Sequence, residues 1–200
     1  GTYQEAAFQR DLMILSALEE TDCDLDFLEK VTNILIEATR DIQFLAVQAE
    51  ILKRTKNYDK LIFIYNKMIE LSRDRAGKIH YLKEFAEVGR DVIGDEDIVL
   101  FCYESILSLG GRIAPDTMAK ARRLWEERGD YRRALKFLKE EQKLVDGDKK
   151  LDLIIEEARL RLEENPQVDA MAILALLRPL IDEGHRPEDT YRVLGDAFAT

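Results

Sequence analysis

Few residues in this chain could do chemistry, and none has the neighbours that its chemistry needs. His80 and His185 are the only histidines. The first falls on a helical face and the second in a Gly- and Pro-containing loop, and neither adjoins a Ser or Cys in a nucleophile motif. Asp22, Asp24 and Asp26 alternate as calcium ligands do. However, Phe27 stands where the sharp turn needs Gly, and Asn33 where a bidentate Glu is needed. The trio therefore reads as helix capping beside a solvated acidic corner. Gly110 and Gly111 precede Arg112 instead of the GK[ST] ending of a phosphate loop, and read as a turn. Cys23 and Cys102 lie in separate helical segments with no CxxC and no nearby His, which argues against zinc or a redox dithiol. Two buried free thiols are expected over a disulfide. The chain is read as non-enzymatic, with no catalytic residue, metal or cofactor.

Charge narrows the choice of partner. Forty acidic residues against thirty basic ones give a net charge of −10, which repels a phosphate backbone, so no nucleic acid is expected. The longest apolar run, AMAILALL at 170–177, is far short of the roughly 20 residues that span a bilayer, so no direct membrane insertion is expected. Residues 1–18 show no basic start followed by an apolar block, as a secretory leader would. A soluble protein is expected, with the cytoplasm favoured over the periplasm. Residues 19–29 carry Glu19, Glu20, Asp22, Asp24, Asp26 and Glu29 without a base, whereas residues 120–139 carry a basic stripe that includes Lys120, Arg123, Arg132 and Lys136. Such a stripe could steer an acidic partner or stack two copies end to end. Its plainer reading is a wet helix face with i,i+4 pairs such as Arg122 with Glu126.

The elements that must position these side chains are helices. Apolar residues return every three or four positions, as in Leu12, Leu15 and Leu18 or Ile62, Tyr65 and Ile69, and no stretch alternates like a strand. Breaks at TDCD, TKNYD, SRDRAG, GDED, LGGRIAP, RGDY, DGDKK, ENP and EGHRP supply helix-stopping Gly and Pro and capping Asn and Asp. About eleven helices are predicted. Pro115, Pro166 and Pro187 are expected at helix starts. Pro179 falls inside a helix and predicts a kink or early termination near Ala175 to Arg178.

The helices repeat. Aligning the segments that follow acidic or Asn-containing turns places Leu28, Leu61, Val99, Ala134 and Ala170 in register at intervals of 33, 38, 35 and 36 residues. One helical turn later stand Thr32, Tyr65, Tyr103, Leu138 and Leu174. Tyr191, Leu194, Gly195 and Phe198 then match an aromatic-x₂-Leu-Gly-x₂-aromatic first helix. ERGDYRRALKFL, with Gly129, Asp130, Tyr131 and Ala134, looks like the turn and second helix of the same unit. Small residues Ala49, Ala86, Ala158 and Gly195 recur mid-way along the preceding helices. On these residues the chain resembles the tetratricopeptide repeat family, whose unit is a 34-residue helical hairpin, and the resemblance implies close helix approach at those small residues.

That resemblance implies an all-α fold, a single α-solenoid with a right-handed superhelical twist. Its repeats would span 3–38, 40–73, 76–109, 115–146 and 148–183, with a truncated first helix at 187–200. A half repeat cannot bury its own apolar face, so the chain reads as a piece of a longer array. Leu28, Leu61 and Val99 are bulkier than the family's usual Ala, and the repeat-closing Pro is missing, so the first three repeats are degenerate. First helices would line a concave groove that holds another protein or peptide. The groove candidates are Gln43, Glu50 and Lys53, then Lys83, Glu87 and Arg90, then Asp116, Arg123 and Glu127, then Arg159 and Glu163. Members of the family that grip a C-terminal carboxylate use Asn on successive first helices, and no such Asn appears here. A non-enzymatic protein–protein interaction scaffold is therefore the expected function. Its alternative is a structural, self-assembling segment of a larger cell-envelope or motility complex, forming a homo-oligomer through its repeat ends. Exposed apolar residues on first helices would mark a groove, and an apolar patch on the outer side would mark assembly.

Overall fold

In the computed structural model, Met13, residues 25–39 and residues 42–199 are described. Among them the chain is all-helical, with ten α-helices and no strand. The eleventh helix that the sequence predicts, at the start of the chain, lies outside the described residues, as do Asp22, Cys23 and Asp24. Asp26 falls in the first turn of the first described helix. Among the described residues, no helix is long and apolar enough to cross a membrane.

The chain divides into two compact units, residues 1–112 and 113–200. The first contains α1 (Leu25–Thr39), α2 (Ile42–Arg54), α3 (Tyr58–Leu71), α4 (Arg75–Val88) and α5 (Glu96–Ser108). The second contains α6 (Pro115–Glu127), α7 (Tyr131–Gln142), α8 (Asp148–Glu164), α9 (Ala170–Glu183) and α10 (Pro187–Ala199). Within each unit the principal contacts join helices adjacent in sequence, and α10 also touches α8.

Boundaries fall where the turn residues cap the backbone. Asn57 accepts from the Lys60 N–H, Asp74 from Gly77, Asp95 from Asp97 and Ile98, Asp130 from Arg133, and Asp169 from Met171. Each satisfies donors that the first helical turn leaves open. Pro115 and Pro187 open α6 and α10 as expected. Pro166 does not open a helix. It lies in the turn after Asn165, whose side chain accepts from Gln167 N–H, and α9 begins only at Ala170 under the Asp169 cap. Nor does Pro179 terminate its helix, since α9 runs on to Glu183. Pro179 and Ala175 are both exposed, so the carbonyl that loses its helical donor faces water. α4 continues into a wide π-helical turn, Gly89–Ile93. A Cβ at Gly89 would lie 2.9 Å from Ile98 Cγ2, so this turn approaches α5 as closely as it does because residue 89 has no side chain.

Residues aligned at intervals of 33 to 38 in the sequence are buried alike on several helices. α3 buries Leu61, Ile64, Tyr65 and Met68, and α5 buries Val99, Cys102, Tyr103 and Ile106. α7 buries Ala134, Phe137, Leu138 and Glu141 at the same spacing. α9 keeps the pattern through Ile173 and Leu177, with Ala170 and Leu174 half-buried. Ala49, Ala86 and Ala158 are buried as close approach requires, and Ala121 is a fourth that the sequence comparison did not single out. Gly195 departs from expectation. α10 packs through Thr190, Val193 and Ala197, and a methyl group at Gly195 would meet nothing within 4 Å.

Two substitutions test this packing. Leu177→Ala, in the core formed by Ala158, Ile173, Leu180, Val193 and Ala197, should lower stability by about 2–5 kcal/mol in chemical denaturation. Gly195→Ala should raise it by roughly 0.5–1 kcal/mol, because an exposed helical glycine gives up backbone entropy and gains nothing from its small size.

Candidate functional site

In the second unit, two helices that open successive hairpins are joined by charge. Arg122 on α6 lies only 6% exposed. Its Nη1 donates to Glu126 Oε1 at 2.5 Å and to Glu156 Oε1 on α8 at 3.0 Å, and its Nε lies 3.5 Å from Glu141 Oε2 on α7. Arg159 closes the circuit from α8, donating to Glu126 Oε2 at 2.7 Å and, through both Nε and Nη2, to Glu156. The i,i+4 pair of Arg122 with Glu126 thus forms, but not on a wet face. Burial works against the Glu156 charge, yet hydrogen bonds and charge from Arg159 and Arg122 outweigh it and hold this carboxyl below its usual range. The same contacts push the Arg159 guanidinium up against the opposing effect of burial.

A cleft of about 560 Å³ opens beside this network, lined by α6, α8 and α10. Asp152 crosses from α8 to the turn before α10. Its Oδ1 lies 2.8 Å from His185 Nε2, and Arg186 donates to its Oδ2 at 2.9 Å. His185 thereby ties a turn to a helix, and the Thr190 hydroxyl donates to its carbonyl. Behind α6, Trp125 is buried with the guanidinium of Arg133 at 4.5 Å and that of Arg128 at 5.6 Å from its ring.

The first unit has its own cleft of about 480 Å³ between α2 and α4, floored by Tyr65 and Met68 of α3. Tyr65 stacks on Phe85 with ring centroids 5.0 Å apart. The Lys53 ammonium pairs with Glu50 and lies 5.9 Å from the centre of the Tyr65 ring. Burial disfavours its charge, but Glu50 and Tyr65 more than compensate and raise its pKa. Burial also pushes the Tyr65 phenol up, against the pull of Lys53. Glu84, Glu87 and Asp91 complete an acidic rim.

Of the residues proposed from sequence, Glu50, Lys53 and Glu87 line the first cleft, and Arg123 and Arg159 the second. Gln43, Lys83 and Arg90 are exposed outside that lining, and Arg90 clips Asp91 through two hydrogen bonds of 2.7 and 2.8 Å. Asp116, Glu127 and Glu163 are exposed outside the second lining, with Asp116 Oδ1 3.7 Å from Lys149 Nζ. Sequence reasoning missed Arg122, Glu126, Asp152, Glu156, Arg186 and Arg192. For all but Arg192 a signal existed: the pairs Glu126 with Arg159, Arg122 with Glu156 and Asp152 with Arg186 are opposite charges 33 or 34 residues apart, close to the period read from the sequence, and His185 stands 33 residues from Asp152.

The remaining chemical candidates are accounted for structurally. His80 is exposed and lies 3.5 Å from Glu84. Gly110 takes a positive φ, and its carbonyl accepts from Arg75 in an ordinary turn. Cys102 is buried and free, and burial pushes its thiol up to about 12, far from a reactive thiolate at neutral pH. Among the described residues, no group of three or more His, Cys, Asp or Glu could hold a metal ion. No protein-family model matches the chain, and no curated protein matches it.

Arg122→Met leaves Glu141 buried without its counter-charge and should destabilise the second unit by about 3–5 kcal/mol in urea denaturation. Because Glu156 titrates below its usual value near 4.5, its contribution to stability is fully present above that pH and is lost as pH falls through the lower, folded value. Thermal unfolding from pH 7 down to pH 3 should therefore show a smaller acid-induced loss in Glu156→Gln than in the parent. Equal losses would mean that this carboxylate is not stabilised by its arginines.

Proposed function

We propose that the chain is an α-solenoid of the tetratricopeptide type and acts, without catalysis, as a protein–protein interaction scaffold. A partner segment lies in the clefts between successive first helices of each unit. The observation that carries this reading is the arrangement of ion pairs one repeat apart beside a cleft with an apolar floor. Stacked hairpins place equivalent residues of neighbouring repeats side by side, and the concave side of such a stack is where extended segments bind. Charges fixed at the rim set register and selectivity, while apolar contacts with residues such as Leu153 and Val193, or Val47 and Met68, supply affinity.

A second reading, a structural part of a larger assembly, is favoured by a different observation. Phe63 on α3 and Phe101 on α5 are 63% and 53% exposed, and Phe27 and Ile34 on α1 are exposed too. None of these four residues is among those that line the two clefts. Exposed apolar side chains repeated along one side of a stack mark contact with another protein surface.

One pair of measurements separates the two. The scaffold reading expects a monomer in size-exclusion light scattering, and expects peptides selected from a random display library to slow hydrogen exchange on α2 and α4 or on α6, α8 and α10. A defined oligomer that Phe63→Ser with Phe101→Ser disperses, with no peptide selected, would make assembly the function instead.

A further inference from the structure

The cleft of the second unit is rich in guanidinium groups that differ in how firmly they are held. Arg122 is buried and held by Glu126 and Glu156, and the half-exposed Arg159 is shared between the same two carboxylates. Arg186 and Arg192 pair with Asp152 and Asp189, but their side chains are 57% and 72% exposed. Pairs that wet contribute little and exchange readily with other anions. Arg123 is exposed, lines the cleft and has no carboxylate partner among the described residues, and the same lack of a partner holds for Lys120 three residues before it on α6. Between these groups the floor is apolar, from Leu153, Ile155 and Val193.

Building on the scaffold reading, we infer that this cleft binds an acidic protein segment, taking its Asp or Glu side chains on Arg123, Arg186 and Arg192. Asp152 and Asp189 are resident carboxylates that occupy two of these guanidiniums until the segment arrives. A guanidinium fork matches a carboxylate in two parallel hydrogen bonds. Arg186 already meets Asp152 in that way, through Nε to Oδ1 and Nη2 to Oδ2, whereas Arg192 reaches Asp189 through Nη2 alone. The apolar floor suits the aliphatic side chains that alternate with acids in a peptide. A nucleic acid offers no such side chains. The net charge of −10 repels an acidic segment from the rest of the chain, so such a segment is held only where guanidiniums gather.

Because resident and incoming carboxylates compete, removing a resident should strengthen binding. The experiment uses the whole chain and three fluorescent, C-terminally amidated peptides of Ser and Leu with Glu, Lys or Gln, read by anisotropy. Amidation removes the terminal carboxylate, so any preference reports side chains. The Glu peptide should bind best and weaken as salt is raised. Arg123→Glu should weaken it about tenfold or more, and Asp189→Asn should tighten it roughly threefold to tenfold, as expected for loss or gain of one to two charge contacts. A gain cannot come from misfolding, so Asp189→Asn decides the matter even if Arg123→Glu folds poorly. Preference for the Lys or Gln peptide, or no tightening in Asp189→Asn, would overturn the acidic-segment inference while leaving a groove binder. A display selection that returns no peptide at all would overturn the scaffold reading and this inference together.

Discussion

A helix of 12 to 17 residues with one apolar face is not stable in water alone, and within each unit of this chain helices adjacent in sequence cover one another. That dependence fixes where size is tolerated. Ala49, Ala86, Ala121 and Ala158 are buried on the helices that open hairpins, and larger residues such as Leu61, Tyr65, Phe137 and Leu138 fill the space from the helices that close them. Small against large is how neighbouring layers interdigitate at protein density without voids. Neither the caps nor the charges would hold these helices without that cover.

Charge adds what apolar packing lacks, a preferred register. Apolar faces slide over one another at small cost, whereas Arg122 meets Glu126, Glu141 and Glu156 together only when α6, α7 and α8 are aligned as they are. Burying such a network costs desolvation, which good geometry and several hydrogen bonds per guanidinium offset. The first unit spends less on charge at its cleft: Lys53, Glu50 and Tyr65 satisfy each other locally, and the rest of the rim is left acidic. The two clefts therefore differ in sign as well as in position along the chain.

Much of the fold could be read from residue order alone. Helical periodicity, the capping Asn and Asp of the turns, and the register of Leu61, Val99 and Ala134 all depend on neighbours within one or two turns, and the helices described follow them closely. What depended on distant neighbours was harder to read. Pro166 looks like a helix opener until the Asp169 cap is known to act first, and Pro179 looks like a helix breaker until its face is known to be wet. Gly195 has the right spacing for close approach, yet the packed side of α10 is the one bearing Val193 and Ala197. Glu50, Lys53, Glu87, Arg123 and Arg159 could be placed on outward positions from the helical period alone, and they line the two clefts. From sequence Arg122 belongs to a solvated stripe, since nothing within its own helix reveals that α7 and α8 close over it.

Trp125 is the only tryptophan in the chain, and the residue that follows it, Glu126, belongs to the ionic network. Its indole N–H is buried without a hydrogen-bond partner, and its ring lies against two guanidiniums. The tryptophan emission of the chain is consequently a report from one place, the end of α6 beside the turn to α7 in the second unit. Water reaching that donor, or a cation leaving that ring, changes the emission, so loosening of this unit has an optical signature to which the first unit contributes no indole.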